Sequence, residues 1–299
     1  MTKTYGLRSS KRVTEQLWCK SYSSLSSLGN IIKISLAVHT PMYYFLSNLS
    51  FLDICYTSVT MPVMLGNFFR EKKTISYQGC LSQIFSFVTC AGAEGVLLAV
   101  MAYDRYVAIC RPLQYPVLMS VKVCVCLVTG SWLCGLVNSA THTVLAATLT
   151  LCGPNEISHF LCDIPLLLKL SCSDTSVNES VLHVASATIG LSPCLFTAGS
   201  YILIISAIVR IPSAQGRSKA FSTCASHLTV VVVYFGTANF NYVRPSEGSS
   251  LDMDILVSVL FCVVTPMLNP IIYSLRNKEV KGALKKLIRN YGFSSEISS

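Results

Sequence analysis

The sequence predicts an all-α membrane protein: a bundle of seven transmembrane helices with a short amphipathic helix behind it. Three observations carry that expectation. First, 52% of the 299 residues are hydrophobic and only 12% are charged, about half the ~25% usual in soluble chains, and mean hydropathy is +0.55. Second, no Asp, Glu, Lys or Arg falls in 74–93, 123–155, 180–209, 220–243 or 255–275, and each gap approaches or exceeds the ~20 residues that cross a bilayer. Two further gaps, 34–52 and 54–69, flank the single acid Asp53. Third, Lys and Arg collect at Arg105, Arg111 and Lys122, at Arg210, Arg217 and Lys219, and from Arg276 to Arg289. Alternation of that kind follows the positive-inside rule and puts the C-terminus in the cytoplasm. The net charge of +9 is therefore a topology signal, and the partner it implies is membrane lipid, with no nucleic acid.

Residues 1–20 form a basic N-terminal tail without the apolar core of a signal peptide. A bundle domain over 21–276 follows. Its first span, about 21–38, is atypical and weak, because Ser21, Ser23, Ser24, Ser26, Ser27 and Lys33 interrupt it. The second runs from about 41 to 69, with Asp53 inside and Pro62 as an expected kink. The third covers 78–103, the fourth 122–148, the fifth 179–209 around Pro193, the sixth 220–243, and the seventh 255–275 with Pro266 and Pro270. Proline is tolerated there because neighbours and water satisfy the freed carbonyls. In 277–299, Val280, Ala283, Leu284, Leu287 and Ile288 take helical spacing opposite Lys281, Lys285, Lys286 and Arg289, as in a helix lying on an anionic inner leaflet.

Of fourteen cysteines, Cys80 stands at the outer end of the third span, and Cys152, Cys162 and Cys172 lie equally spaced in the long loop expected outside. An oxidising exterior favours disulfides, and four cysteines permit three pairings among which the residues alone do not choose. Asn178-Glu-Ser180 is the expected glycosylation acceptor, whereas Asn48-Leu-Ser50 falls inside the second span. No catalytic set emerges and no enzyme is expected: the histidines are scattered, and His159 beside Cys162 and Asp163 is a poor metal site if Cys162 is oxidised.

Ionisable groups inside a bilayer are costly and usually functional. Asp104 and Arg105, followed by Tyr106, sit where the third span leaves lipid. The spacing lets Arg105 pair with Asp104 in one state and with Tyr201 or Tyr273 in another. Asp53 and Glu94 fall at similar depth, ~16 Å in at 1.5 Å per residue. Two level carboxylates repel unless a cation, a proton or polar neighbours intervene. The expectation is a bound sodium ion or shared proton, with Asn269 as a further oxygen donor and no other cofactor.

Several motifs together resemble mammalian olfactory receptors, which are rhodopsin-like G-protein-coupled receptors. They are Pro41-Met-Tyr-Tyr-Phe-Leu-Ser-Asn-Leu-Ser-Phe-Leu-Asp53, Met101-Ala-Tyr-Asp-Arg-Tyr-Val-Ala-Ile-Cys110, Ser200-Tyr201, Lys219-Ala-Phe-Ser-Thr-Cys-Ala-Ser-His227 and Pro266-Met-Leu-Asn-Pro-Ile-Ile-Tyr273. The resemblance covers about 29–290. It implies seven helices in the plasma membrane with the N-terminus outside, and disulfides Cys80–Cys162 and Cys152–Cys172. It further implies an odorant pocket in the outer half and coupling to the olfactory stimulatory heterotrimeric G protein by outward movement of the sixth helix. Carried over by position, the pocket residues are Phe87, Val88, Ala91, Gly92, Ala185, Ser186, Ile189, Ala238, Asn239 and Tyr242. That lining is apolar with three polar handles and no charge, which suits a small neutral volatile. Asn269, Pro270 and Tyr273 would join Asp104, Arg105, Tyr106 and Tyr201 in the activation switch.

Two departures stand out. The run before Gly29-Asn30 is Ser-rich and basic and carries no sequon. Where the family has Phe-Tyr-Gly-Thr, this chain reads Tyr234-Phe235-Gly236-Thr237, so Phe235 replaces the tyrosine linked to activation. These departures keep a second reading open, a non-signalling and poorly trafficked relic. An ion channel or transporter is a distant third, since neither internal repeats nor broken helices are evident.

Overall fold

A computed structural model of the chain describes residues 40–69, 75–152 and 162–243. The first span, the seventh span and the amphipathic segment 277–299 lie outside the described residues, with Asn269, Pro270 and Tyr273. Eight α-helices are described: α1 Pro41–Phe69, α2 Tyr77–Cys110, α3 Tyr115–Leu118, α4 Val121–Ala147, α5 Ile164–Leu170, α6 Ser176–Ala185, α7 Ser192–Val209 and α8 Ala214–Val243. A π-helical turn, Ser186–Leu191, joins α6 to α7. Among the described residues there is no strand, only an isolated bridge between Leu151 and Ser171. Four helices there, Tyr77–Cys110, Val121–Ala147, Ser176–Val209 and Ala214–Asn239, are long and apolar enough to cross a membrane. The second to sixth expected spans correspond to α1, α2, α4, α6–α7 and α8.

The central helix is α2. It packs on α1, α4, α7, α8 and the π turn and buries Ile84, Phe87, Leu97, Leu98, Met101 and Val107. By contrast, α4 and α7 turn Leu133, Val137, Val144, Leu195, Ile202 and Val209 outward. Buried polar groups, among them Asp53, Glu94, His142 and His227, face the interior instead. Apolar outside and polar inside is the arrangement a lipid solvent selects.

Helices α2 and α4 approach tightly. Gly92 faces the Gly135 Cα, and a Cβ added at Gly135 would collide with the Thr89 carbonyl and lie 2.8 Å from the Ala93 nitrogen. Ser139 donates across the same seam to the Phe85 carbonyl. Small residues let helix backbones approach where lipid supplies no hydrophobic drive.

Helix ends follow local chemistry. Ser76 is extended and its Oγ accepts from Gly79 N at 3.1 Å, so α2 begins at Tyr77. Ser76→Ala is expected to cost ~1 kcal/mol by loss of this cap, read as a lowered melting temperature of the detergent-purified protein, with Ser76→Asp close to wild type. The third span was expected to end at 103, but α2 continues to Cys110 because Val107 remains buried against the bundle. Pro193 falls inside the expected fifth span. Pro193 has no N–H for the Ile189 carbonyl, and the helix absorbs that loss as the π turn just before it. α6 and α8 also start earlier than the charge gaps suggest, at Ser176 and Ala214.

Two disulfides close the end of the bundle nearest Cys80. Cys80–Cys162 and Cys152–Cys172 have Cα separations of 5.4 and 5.9 Å, the pairing that the resemblance implied. Cys162 N also donates to Gln83 Oε1 at 3.0 Å. The loop entering α5 is thereby pinned on the first turns of α2, and Asp163 Oδ1 caps Ile164 N at 2.8 Å.

Candidate functional site

Beneath that pinned loop, α2, α4, α6, the π turn and α8 border a cavity of about 90 Å³, several times the ~10–15 Å³ that one water needs. Val88, Ala91 and Gly92 line it from α2, Ala185, Ser186 and Ile189 from the α6 side, and Ala238 and Asn239 from α8. All eight were expected. Phe87 is buried, but its ring packs on Tyr56 at 5.0 Å instead of lining the cavity. Its neighbour Val88 takes the cavity side because adjacent helical residues point about 100° apart. The side chain of Tyr242 lies outside those described.

Sequence reasoning missed Asn138, His142, Ile164, Leu182, Gly190 and Tyr234, and placed Phe235 only in the activation switch; all seven line the cavity. Asn138 and His142 carried a readable signal, two polar residues four apart in an otherwise apolar span, hence on one helix face. Ile164 had none, since it reaches the cavity only through the Cys80–Cys162 bridge. The lining holds no Asp, Glu, Lys or Arg. It can therefore take a neutral ligand, with Asn138, His142, Ser186 and Asn239 as hydrogen-bonding handles.

The swapped pair at the cavity floor has a clear consequence. Tyr234 Oη donates to the Ala91 carbonyl, occupying space that exists because position 95 is glycine; a Cβ there would lie 3.2 Å from the hydroxyl. Phe235 stands edge-on to Tyr234, ring centroids 5.1 Å apart. The hydroxyl one residue before 235 is thus spent on a bond from α8 to the α2 backbone.

Deeper in the bundle, Asp53 on α1 and Glu94 on α2 are both buried. Cys55 on α1 and Cys90 on α2 neighbour each other across the same helix pair, close to both carboxylates.

At the opposite end of α2, Asp104 is buried and Oδ1 accepts from Tyr115 Oη at 2.8 Å. Burial, then the adjacent Asp104 carboxylate, pushes the Tyr115 phenol above its ordinary pKa. Arg105 does not close on Asp104 here; its Nη2 contacts Met42 Sδ. Tyr201 Oη instead bonds His227 Nδ1 at 2.7 Å and the Cys224 carbonyl at 3.3 Å. Arg105 lies near Tyr201, Cys224 and His227 but bonds to none of them; its contact is with Met42. Tyr106 stacks on Tyr103 and packs against the Tyr201 cluster.

Asn178, the expected glycan acceptor, is buried, and its Nδ2 donates to the Leu145 carbonyl at 3.1 Å. A glycan there would have to displace that bond. Among the described residues no group of three His, Cys, Asp or Glu side chains could hold a metal ion.

Comparison with known proteins matches residues 24–290 to a family described as olfactory receptor. The chain is 53% identical to olfactory receptor 5AP2 of Mus musculus over 90% of its own length and 86% of the relative's. It is 50% identical to olfactory receptor 3A3 of Homo sapiens, over 89% and 82% respectively. Olfactory receptor 5AR1 of Mus musculus is 52% identical, over 87% and 86%.

Proposed function

Since the chain belongs to the olfactory receptor family, a family of receptors and not of enzymes, we propose that it binds small, neutral, mostly apolar volatiles in the cavity beneath the disulfide-pinned loop. On that binding it activates a stimulatory heterotrimeric G protein at the Arg105 end of the bundle. The family and the apolar helices make it a multi-pass plasma-membrane protein; the proposed orientation is N-terminus outside. The observation carrying this reading is the uncharged cavity lined by eight of the ten residues that the resemblance implied.

The test is cyclic-AMP output from cells expressing the chain with that G protein, challenged with a panel of neutral alcohols, esters, ketones and aldehydes. At least one should raise output, and Ala238→Phe, which fills the cavity, should lower its potency at least about tenfold, or 1.4 kcal/mol. Unchanged potency at normal surface level would place the site elsewhere.

The buried Asp53 and Glu94 support a shared proton or sodium ion as part of the proposal. Sodium-dependent shifts in response that vanish in Glu94→Ala would support it; indifference to sodium would remove it. Neither the channel or transporter reading nor the relic reading draws support from the relatives, which are named as receptors.

A further inference from the structure

A second cavity, about 420 Å³, lies in the seam between α4 and the α6–π segment and opens on the surface that those helices turn outward. Its rim includes Val137 and Val184, 66% and 64% exposed. Three residues, Asn138, Ala185 and Ile189, line both this groove and the ligand cavity. One layer of side chains therefore separates the bilayer from the site.

The groove makes little polar demand. Thr141 Oγ1 donates to its own helix at the Val137 carbonyl, 2.9 Å, and Thr188 Oγ1 to the Val184 carbonyl, 2.8 Å. Both threonines spend their hydroxyls on backbone and offer methyl groups. The dividing wall is also where helical hydrogen bonding is irregular: Ala185 ends α6, and Ile189 lies in the π turn. Next to it Gly190 has open space where a Cβ would be. At the Cys80 end, by contrast, Ile164 is buried over the cavity behind the Cys80–Cys162 bridge.

We propose that this groove is a lateral portal, through which neutral apolar ligands dissolved in the membrane enter the cavity between α4 and the π turn, with Ile189 and Asn138 as the gate. The inference rests on the cavity being the ligand site, and it adds the route. Apolar solutes concentrate in lipid for the same reason that apolar side chains are buried, so the bilayer is their reservoir. A passage whose lining is largely apolar takes them in without full rehydration.

The test uses thiol labelling and needs no odorant response, so its failure and that of the function proposed above are separable. In Cys134→Ser protein reconstituted in lipid nanodiscs, Ala238→Cys places a thiol in the cavity. Its alkylation by neutral N-cyclohexylmaleimide is followed by peptide mass spectrometry, beside a charged trimethylammonium methanethiosulfonate. The expected result is fast reaction with the neutral reagent and at least tenfold slower reaction with the charged one. Val137→Trp or Val184→Trp, each on the outward rim, should slow the neutral reagent at least tenfold. Val125→Trp, exposed on α4 nine residues before Cys134 and outside the groove lining, should not. Equal neutral-reagent rates in the rim variants and the Val125→Trp control, or preferential attack by the charged reagent, would overturn the portal. Thermal melting of each variant identifies any that is misfolded, and the two rim positions give independent readings.

Discussion

Gly135→Val is expected to destabilise the protein by about 3 kcal/mol or more, at the upper end of what overpacking costs. The added carbons have nowhere to go. The atoms in their way are the Thr89 carbonyl and the Ala93 nitrogen of α2, which are backbone and cannot rotate aside. Relief requires α4 to move off α2, which breaks the Ser139 bond to Phe85 and opens the cavity wall at Gly92 and Asn138. Gly130→Val, five residues earlier on the same helix, meets nothing within 4 Å and should stay within ~0.5 kcal/mol of wild type. At ~2–4 °C per kcal/mol, Gly135→Val should melt about 6–12 °C lower in size-exclusion thermostability runs. Matching melting curves for the two variants would show that the α2–α4 seam yields.

How much of this was legible beforehand depends on whether the signal is local. The gaps between charges located α2, α4, α6–α7 and α8, because each span must exclude charge along its own length. The Gly92–Gly135 contact was not legible, since a glycine in an apolar run does not reveal which helix it faces. The π turn was half visible: Pro193 demanded a local adjustment, but proline's missing N–H is met equally by a kink or a bulge. Ile164 reaches the cavity through a disulfide across 82 residues, a distance no periodic pattern spans.

The cavity lining was read mainly by position within a recognised motif set. That is why Val88 and Ile189 fell in place, while Phe87, one residue round the helix, did not. Asn138 and His142 were open to direct physical reading from their spacing alone. The Tyr234–Phe235 swap shows the converse. Its position was evident in sequence, but its effect depends on the space beside Gly95, and only the packed structure supplies that.

The activation proposal makes opposite predictions for two neighbours at the Arg105 end. Arg105→Ala is expected to reduce cyclic-AMP output to background while surface level and ligand binding persist, because the guanidinium there is partly exposed and nothing else on α2 replaces its charge. His227→Phe is expected to raise output without any odorant. The 2.7 Å bond from Tyr201 to His227 ties α7 to α8 inside a fully buried pocket, and α8 cannot swing outward until it breaks. A buried bond of this kind is worth about 1 kcal/mol, and up to ~3 where one partner is left stranded. A state that has already lost the bond gains that much relative to one that keeps it, and 1.4 kcal/mol is a tenfold shift. Basal output, normalised to surface receptor, should therefore rise roughly five- to tenfold. Tyr201→Phe should do the same, and the double variant should add little, because both remove one bond. Additive effects, or basal output that stays at the wild-type level, would mean that the Tyr201–His227 bond survives activation and that α8 pivots somewhere else.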